Sequence, residues 1–416
     1  MPWLVIILAG ALGLRLVAAL LIQNWVERTP GRLCLIAGDA EGYWELGRHL
    51  ARGEEYALYE PPRRVLRMPG FPMLLAGGMR LFGEQTLWIR LILAGVGTAG
   101  CALVYLLART LFDEGTALRA CALAAVFPTF VGFSPLLLSE TLFATLLVAS
   151  LIPLARLFRG GTGRLWGAAL TAGVLCGLAT LVRPTWLLVG PAAAFLHLLT
   201  SRDRPAALRH ALILLSGLAL TLLPWTIRNF QVTGHFIPTT LWVGPSLYDG
   251  LHAEATGASD MRFIETDRIY ETLSEYDADR HYRAAAWSFV RENPGRAAQL
   301  AAIKVARFWN PFPNADQFGH WAIGWSVALA TLPLWLLAAW GGWRWRQVWW
   351  CWFVPLAPIL YFSLVHTVFV SSVRYRLPAE YALWILSAAG WTAWQQRHSP
   401  SHNASVPSVD RVELPS

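Results

Sequence analysis

Long apolar runs alternate with polar connections along this chain. Runs such as 3–22 and 165–182 are almost wholly apolar. About 20 such residues in a helix cross a bilayer. Backbone groups cannot stay unpaired in lipid, so a spanning run must be a helix unless the strands of a barrel close on themselves. The dyad alternation of a membrane barrel is absent. The pattern predicts spans near 3–22, 88–110, 118–134, 136–157, 165–182, 185–200, 211–227, 320–342, 348–370 and 378–394. The expected fold is an all-α integral membrane protein of about ten transmembrane helices, one domain over 1–394, with a polar, disordered tail at 395–416.

Three linkers separate these runs: 23–87, 228–319 and the short 371–377. In the first, 40–52 reads as an amphipathic helix with Tyr43, Leu46 and Leu50 on one face. Residues 70–82 are apolar but too short to span, and should lie in the interface or re-enter. In the second, 260–274 and 278–292 read as helices, with Asp277 as an N-cap and Pro294 as a stop. Residues 371–377 read as an extended loop that points Arg374 and Arg376 to one side, and Pro378 suits the first turn of the last helix.

Alternate short loops carry Arg156, Arg159 and Arg164, then Arg202, Arg204 and Arg209, then Arg344 and Arg346. That set should be cytoplasmic, which puts both termini inside and the loops 23–87 and 228–319 at the outer face. The first run lacks a basic n-region and a clear cleavage site, so it reads as a retained span.

Composition agrees. The chain is 55% hydrophobic and 14% charged, against about 25% charged in soluble domains. Many of its 22 tryptophans cluster, as at Trp343, Trp345, Trp349, Trp350 and Trp352, which fits an aromatic belt at a membrane face. The formal charge of +8 comes from arginines scattered at helix ends, with Lys304 the sole lysine, so no basic face for nucleic acid forms. Cys101, Cys121, Cys176 and Cys351 sit in apolar runs and Cys34 stands alone in a loop. Their spacing fits neither a disulfide framework nor zinc.

Against this background the charged residues of the outer face stand out. Asp39, with Glu41 and Tyr43 close by, could take a proton from a hydroxyl as it attacks; it is equally a good N-cap. Glu140 follows Pro135 at the turn between two spans, where a carboxylate needs a partner or a task. Arg67, Arg90, Arg183, Arg228, Arg374 and Arg376 all fall near the outer face, where the positive-inside tendency predicts few. Each alone could snorkel to headgroups; together they suggest an anion, and guanidinium matches phosphate oxygens. Arg15, inside the first span, should pair with a carboxylate. Asp39, Glu41 and Glu140 could bind a divalent cation such as Mg or Mn, although nothing in the sequence requires one.

These residues, in this order, resemble the large bacterial family of membrane glycosyltransferases with the C-type fold, which includes protein O-mannosyltransferases and the aminoarabinose transferase that modifies lipid A. The resemblance covers about 1–394. It rests on Asp39-Ala40-Glu41-Gly42-Tyr43, Arg67-Met68-Pro69-Gly70-Phe71-Pro72, Ser139-Glu140, Leu181-Val182-Arg183-Pro184, Pro224-Trp225-Thr226-Ile227-Arg228-Asn229 and Arg374-Tyr375-Arg376-Leu377-Pro378. It implies that Asp39 is the catalytic carboxylate, and that Arg228, Arg374 and Arg376, then Arg183, hold the phosphate of a polyprenyl-phosphate sugar. The family's adjacent Asp-Glu pair is here split by Ala40, and the chain is shorter than the mannosyltransferases. The expected function is an inverting transfer from a polyprenyl-phosphate sugar to a protein, lipid or glycan acceptor at the outer face of the cytoplasmic membrane. Two rivals are a lipid or glycan flippase and a polymerase or ligase with an undecaprenyl-diphosphate donor. A transporter would place charge near the midplane of repeated halves, and no repeat is seen.

Overall fold

The computed structural model describes residues 2–29, 34, 36, 38–160, 165–313 and 320–398. Arg164 and the tail beyond 398 lie outside the described residues. The described secondary structure is helical apart from one isolated bridge between Leu58 and Arg63.

The first span is α1 (Pro2–Glu27), and the first loop contributes α2 (Asp39–Arg52) and α3 (Gly70–Phe82). Next come α4 (Thr86–Leu111), α5 (Glu114–Val126), α6 (Pro128–Phe133), α7 (Glu140–Arg159) and α8 (Trp166–Val182). A 3₁₀ turn at Pro184–Trp186 leads into α9 (Val189–Thr200) and α10 (Arg204–Thr233). The second loop holds α11 (Val243–Gly250), α12 (Phe263–Thr266), α13 (Ile269–Thr272), α14 (Glu275–Glu292) and α15 (Pro294–Phe308). The chain returns through α16 (Trp321–Arg344), α17 (Trp349–Val368) and α18 (Val373–His398).

Among the described residues six helices, α1, α4, α7, α10, α16 and α17, are long and apolar enough to cross a membrane, and α8 and the stretch Pro184–Thr200 are shorter apolar helices. The remaining two expected spans differ in kind. The run 118–134 is broken between α5 and α6, where Phe127 is extended (φ −60°, ψ 122°). The proline that follows explains this, because its ring disfavours helical geometry in the preceding residue. The last run is α18, which begins at Val373 rather than 378. It is the most enclosed helix of the bundle: Leu377, Tyr381, Trp384 and Ile385 are all buried, among α5, α7, α16 and α17. Glycines let α16 and α18 approach closely, since a Cβ on Gly390 or Gly341 would strike the backbone of the opposite helix.

Arg15 does not meet a carboxylate. Its guanidinium donates to the carbonyls of Ala124 (3.1 Å) and Ala125 (3.0 Å) and to Ser134 Oγ (3.0 Å). Those carbonyls are left free where α5 stops at the Pro128 break, and a cation suits a helix C-terminus.

The second loop also departs from expectation. Residues 260–274 form two single turns around Arg268, whose backbone is left-handed (φ 52°). The cap of α14 is Ser274, whose Oγ accepts from the Asp277 N–H at 3.1 Å, so Asp277 is not the cap. Pro294 does stop the preceding helix, since α14 ends at Glu292 as expected, and it also starts α15, because proline is tolerated in a first helical turn.

Both long loops lie at one end of the bundle and form a single cap. The Leu241 N–H donates to the Val65 carbonyl at 2.9 Å. The Glu275 carboxylate accepts from the Arg64 N–H at 2.8 Å and the Val65 N–H at 3.0 Å. Lys304 on α15 is buried and donates to the Val368 carbonyl at 2.6 Å, closing the last turn of α17. At the opposite end Arg159 lies 5.8 Å from the Trp350 ring and Arg119 donates to Thr392 at 3.0 Å.

Candidate active site

Asp39 is the first residue of α2 and not its cap. Gly38 precedes the helix with φ 84°, a conformation that glycine adopts without strain. The Glu41 carboxylate reaches back to the Gly38 N–H at 3.3 Å, so Glu41 serves the helix start. The Asp39 carboxylate is left to face two guanidiniums. Arg67 Nη2 donates to it at 2.5 Å and Arg374 Nη1 at 2.9 Å. Arg67 is placed by the close approach of α3 to the end of α8, where a Cβ on Gly70 would lie 2.7 Å from the Leu181 carbonyl.

Glu140 opens α7 and is buried, 1% exposed. The turn before it is pinned by Arg90, which donates to the Pro135 carbonyl at 2.8 Å and to Gln23 at 3.0 Å. Arg183 Nη1 donates to Glu140 Oε1 at 3.0 Å, and Arg374 Nε donates to the same oxygen. Glu140 Oε2 has no hydrogen-bond partner among the described residues. A chain of alternating charge results: Arg67, Asp39, Arg374, Glu140, Arg183.

Aromatic rings frame this chain. The Tyr43 hydroxyl donates to Ser139 Oγ at 3.4 Å and the Arg67 guanidinium lies 5.4 Å from the Tyr43 ring. Tyr375 has Arg183 over it at 5.4 Å and stacks on His366 at 4.9 Å. The sequence reading passed over Tyr375 and Ser139 as site residues, although both sit inside motifs already singled out. Above all Arg67, outweighing burial and helped by Arg374, holds the Asp39 carboxyl well below the usual carboxylate range.

The structure thus brings together Asp39, Tyr43, Arg67, Glu140, Arg183 and Arg374. It leaves out Glu41, Arg90, Arg228 and Arg376. Arg228 donates to the carbonyls of Arg64 (2.6 Å) and Tyr56 (3.1 Å), which fixes the first loop behind Arg67. Arg376 is buried, pairs with Glu380 at 2.7 Å, and donates to the carbonyls of Phe308 and Asn310. The side-by-side placement expected for Arg374 and Arg376 is not found. Both lie on a helix, where two positions turn about 200° and so point side chains apart.

An apolar cavity of about 400 Å³ opens beside Arg374. Thr129, Phe133, Ile323, Val327 and Val373 line it together with Arg374. Arginines engage both carboxylates, and among the described residues no three His, Cys, Asp or Glu side chains gather, so a cation such as Mg would rest on one or two carboxylates together with a bound phosphate.

Residues 63–227 match the family model of dolichyl-phosphate-mannose-protein mannosyltransferases. No curated protein matches the chain. Among solved structures, the archaeal oligosaccharyltransferase AglB from Archaeoglobus fulgidus, in complex with an inhibitory peptide and a dolichol-phosphate, aligns with TM-score 0.60 and 16% identity, over 95% of this chain and 50% of that one. The same organism's oligosaccharyltransferase in complex with Zn and sulfate aligns with TM-score 0.57 and 16% identity, over 95% and 49%. ArnT from Cupriavidus metallidurans, bound to undecaprenyl phosphate, aligns with TM-score 0.45 and 16% identity, over 95% and 78%. The chain spans about half the length of the oligosaccharyltransferases it matches. The resemblance carried by the motifs is therefore borne out: this is a multi-pass membrane protein with the C-type glycosyltransferase fold, and its segment 63–227 matches the mannosyltransferase family.

Proposed function

We propose that the protein is an inverting glycosyltransferase that takes its sugar from a polyprenyl phosphate at the outer face of the cytoplasmic membrane, with both termini inside. One observation carries the reading. Arg374, which joins Asp39 to Glu140, also lines an apolar cavity. A phosphate with a long hydrocarbon tail has the matching chemistry, with the tail in the cavity and the oxygens on guanidinium. The dolichol-phosphate held by the archaeal relative supports a carrier of this class.

In the donor-free state Asp39 is a poor base, because two guanidiniums hold its charge. Donor phosphate would draw Arg374 and Arg183 onto its own oxygens, leaving Asp39 with Arg67 alone and therefore a stronger base. The acceptor hydroxyl then attacks the anomeric carbon, and its proton passes to Asp39. The bond from that carbon to the phosphate oxygen breaks on the opposite face, so the configuration inverts. The polyprenyl phosphate leaves with its developing charge on the arginines. Glu140 positions Arg374 and Arg183. The cap, built from the first loop and 228–313, selects the acceptor.

The test uses purified protein in lipid nanodiscs. Undecaprenyl phosphate should raise the thermal midpoint of the parent and of Asp39→Asn, and should raise that of Arg374→Ala far less. No stabilisation of the parent by the lipid would overturn the donor class.

A further inference from the structure

We propose that a second cavity, in the cap, is a subsite for a neutral saccharide on the acceptor side of the reaction. The inference rests on the glycosyl-transfer reading and deepens it, since it makes the acceptor a glycan or a glycan-bearing molecule. The cavity measures about 300 Å³ and lies between the turn around Pro61, the end of α10 and the start of α14. That volume is at the small end of ligand sites, suited to one or two sugar rings.

Its lining has the chemistry of hydroxyl recognition. The Arg63 guanidinium stacks on the Tyr270 ring at 3.8 Å with Tyr59 at 4.7 Å. Arg63 Nε is buried without a hydrogen-bond partner among the described residues. Tyr270 is 6% exposed, and its hydroxyl likewise has no partner. Both atoms are unpaired at a cost and closed to water, so a sugar hydroxyl pairs with them once the Arg63 side chain shifts. Tyr59 has a left-handed backbone (φ 67°), rare for a bulky residue and typical of sites where strain is retained for a purpose. Tyr276 also lines the cavity and is held rigidly there by its flat stack on His235 at 3.6 Å. Glu275 supplies an acceptor, and burial pushes its carboxyl up from the usual value. Arg64 is already paired with Glu55 and Glu275 offsets Arg63, so the lining has no spare cation for an anion and suits a neutral ring with hydroxyls.

The position suits an acceptor. Arg64 lines this cavity, and Arg67, three residues on, grips Asp39. Three residues of extended chain reach at most about 11 Å. A saccharide in the cavity would present its end towards the proposed base.

Saturation-transfer NMR on the full chain in nanodiscs tests this, with maltose, cellobiose and mannobiose as probes and inorganic phosphate as competitor. Ring-proton signals from at least one disaccharide should appear with the parent and fall fivefold or more in Arg63→Met and Tyr276→Ala. Tyr270→Phe, which removes one oxygen, should weaken them while keeping the parent's thermal midpoint. Asp39→Asn should bind sugar like the parent, so this result stands apart from the fate of the transfer reading. Absence of signal with all three sugars, equal signals in the Arg63 and Tyr276 variants, or displacement by inorganic phosphate would each overturn the subsite.

Discussion

Arg374 donates to Asp39 at 2.9 Å, joining positions 335 residues apart, and the same guanidinium holds Glu140. The two carboxylates are therefore set by one cation, and any anion that competes for that cation alters both.

Substitution separates Arg374 from its neighbour Arg376. Arg374→Lys keeps the charge but loses the planar fork that reaches two carboxylates. Donor binding should weaken tenfold to a hundredfold, as expected when a charge-assisted hydrogen bond of about 1.5–3 kcal/mol is lost. Arg376→Met should leave donor affinity near the parent's and lower stability by about 3–5 kcal/mol, because it strands a buried Glu380. Donor titration paired with thermal unfolding checks both, and a donor defect confined to Arg376 would reverse the assignment.

Asp39 and Glu41 should also part company. Asp39→Asn removes the proposed base and should cost about 10²–10⁴-fold in transfer with folding intact. Glu41→Gln retains an acceptor for the Gly38 N–H and should transfer sugar within a few-fold of the parent. Radiolabelled sugar transfer in membranes reads both. Equal losses in the two variants would show that the start of α2, not one carboxylate, is what matters.

Acid should expose the Asp39 pairing. Its folded pKa lies below the unfolded value of about 3.9, so the folded state favours the ionised form. The stabilisation is complete above that unfolded value and is lost as pH falls through the folded pKa. The parent's thermal midpoint should drop between about pH 4 and pH 2 more steeply than that of Asp39→Asn. Parallel acid limbs would mean that the pair contributes nothing to stability.

Topology is open to direct labelling. Cysteines introduced at Ser259 and Ser372, at the capped end, should react with an impermeant maleimide added outside intact cells, and one at Arg346 should not. Reaction at Arg346 alone would place the site on the cytoplasmic side and remove the outer-face reading.

Most of the bundle was legible because apolar runs in lipid have one backbone solution. The break at Pro128 was legible in principle from the proline itself. The start of α18 was not, because Arg374 and Arg376 look like loop chemistry until their partners are known. Those partners lie on α2, α7 and α18 itself, so only tertiary structure brings the first two to Arg374. The same holds for Arg15, whose acceptors are backbone carbonyls that no side-chain pattern reveals. Asp39, Glu140, Arg67 and Arg183 could be picked out as exceptions to the expected charge distribution. Their joining through one arginine could not.

The enclosed position of α18 bears on biogenesis. A helix with three ionisable residues near its start is a poor substrate for release into lipid on its own. It becomes acceptable when earlier helices are already gathered to receive it, with Glu140 and Asp39 waiting for Arg374. Insertion of α18 is then a late docking event driven by pairing of charge and small-residue packing rather than by hydropathy. Catalytic competence would appear only once that docking is complete, so a ribosome-bound chain lacking α18 would carry the proposed base without the arginine that links it to Glu140.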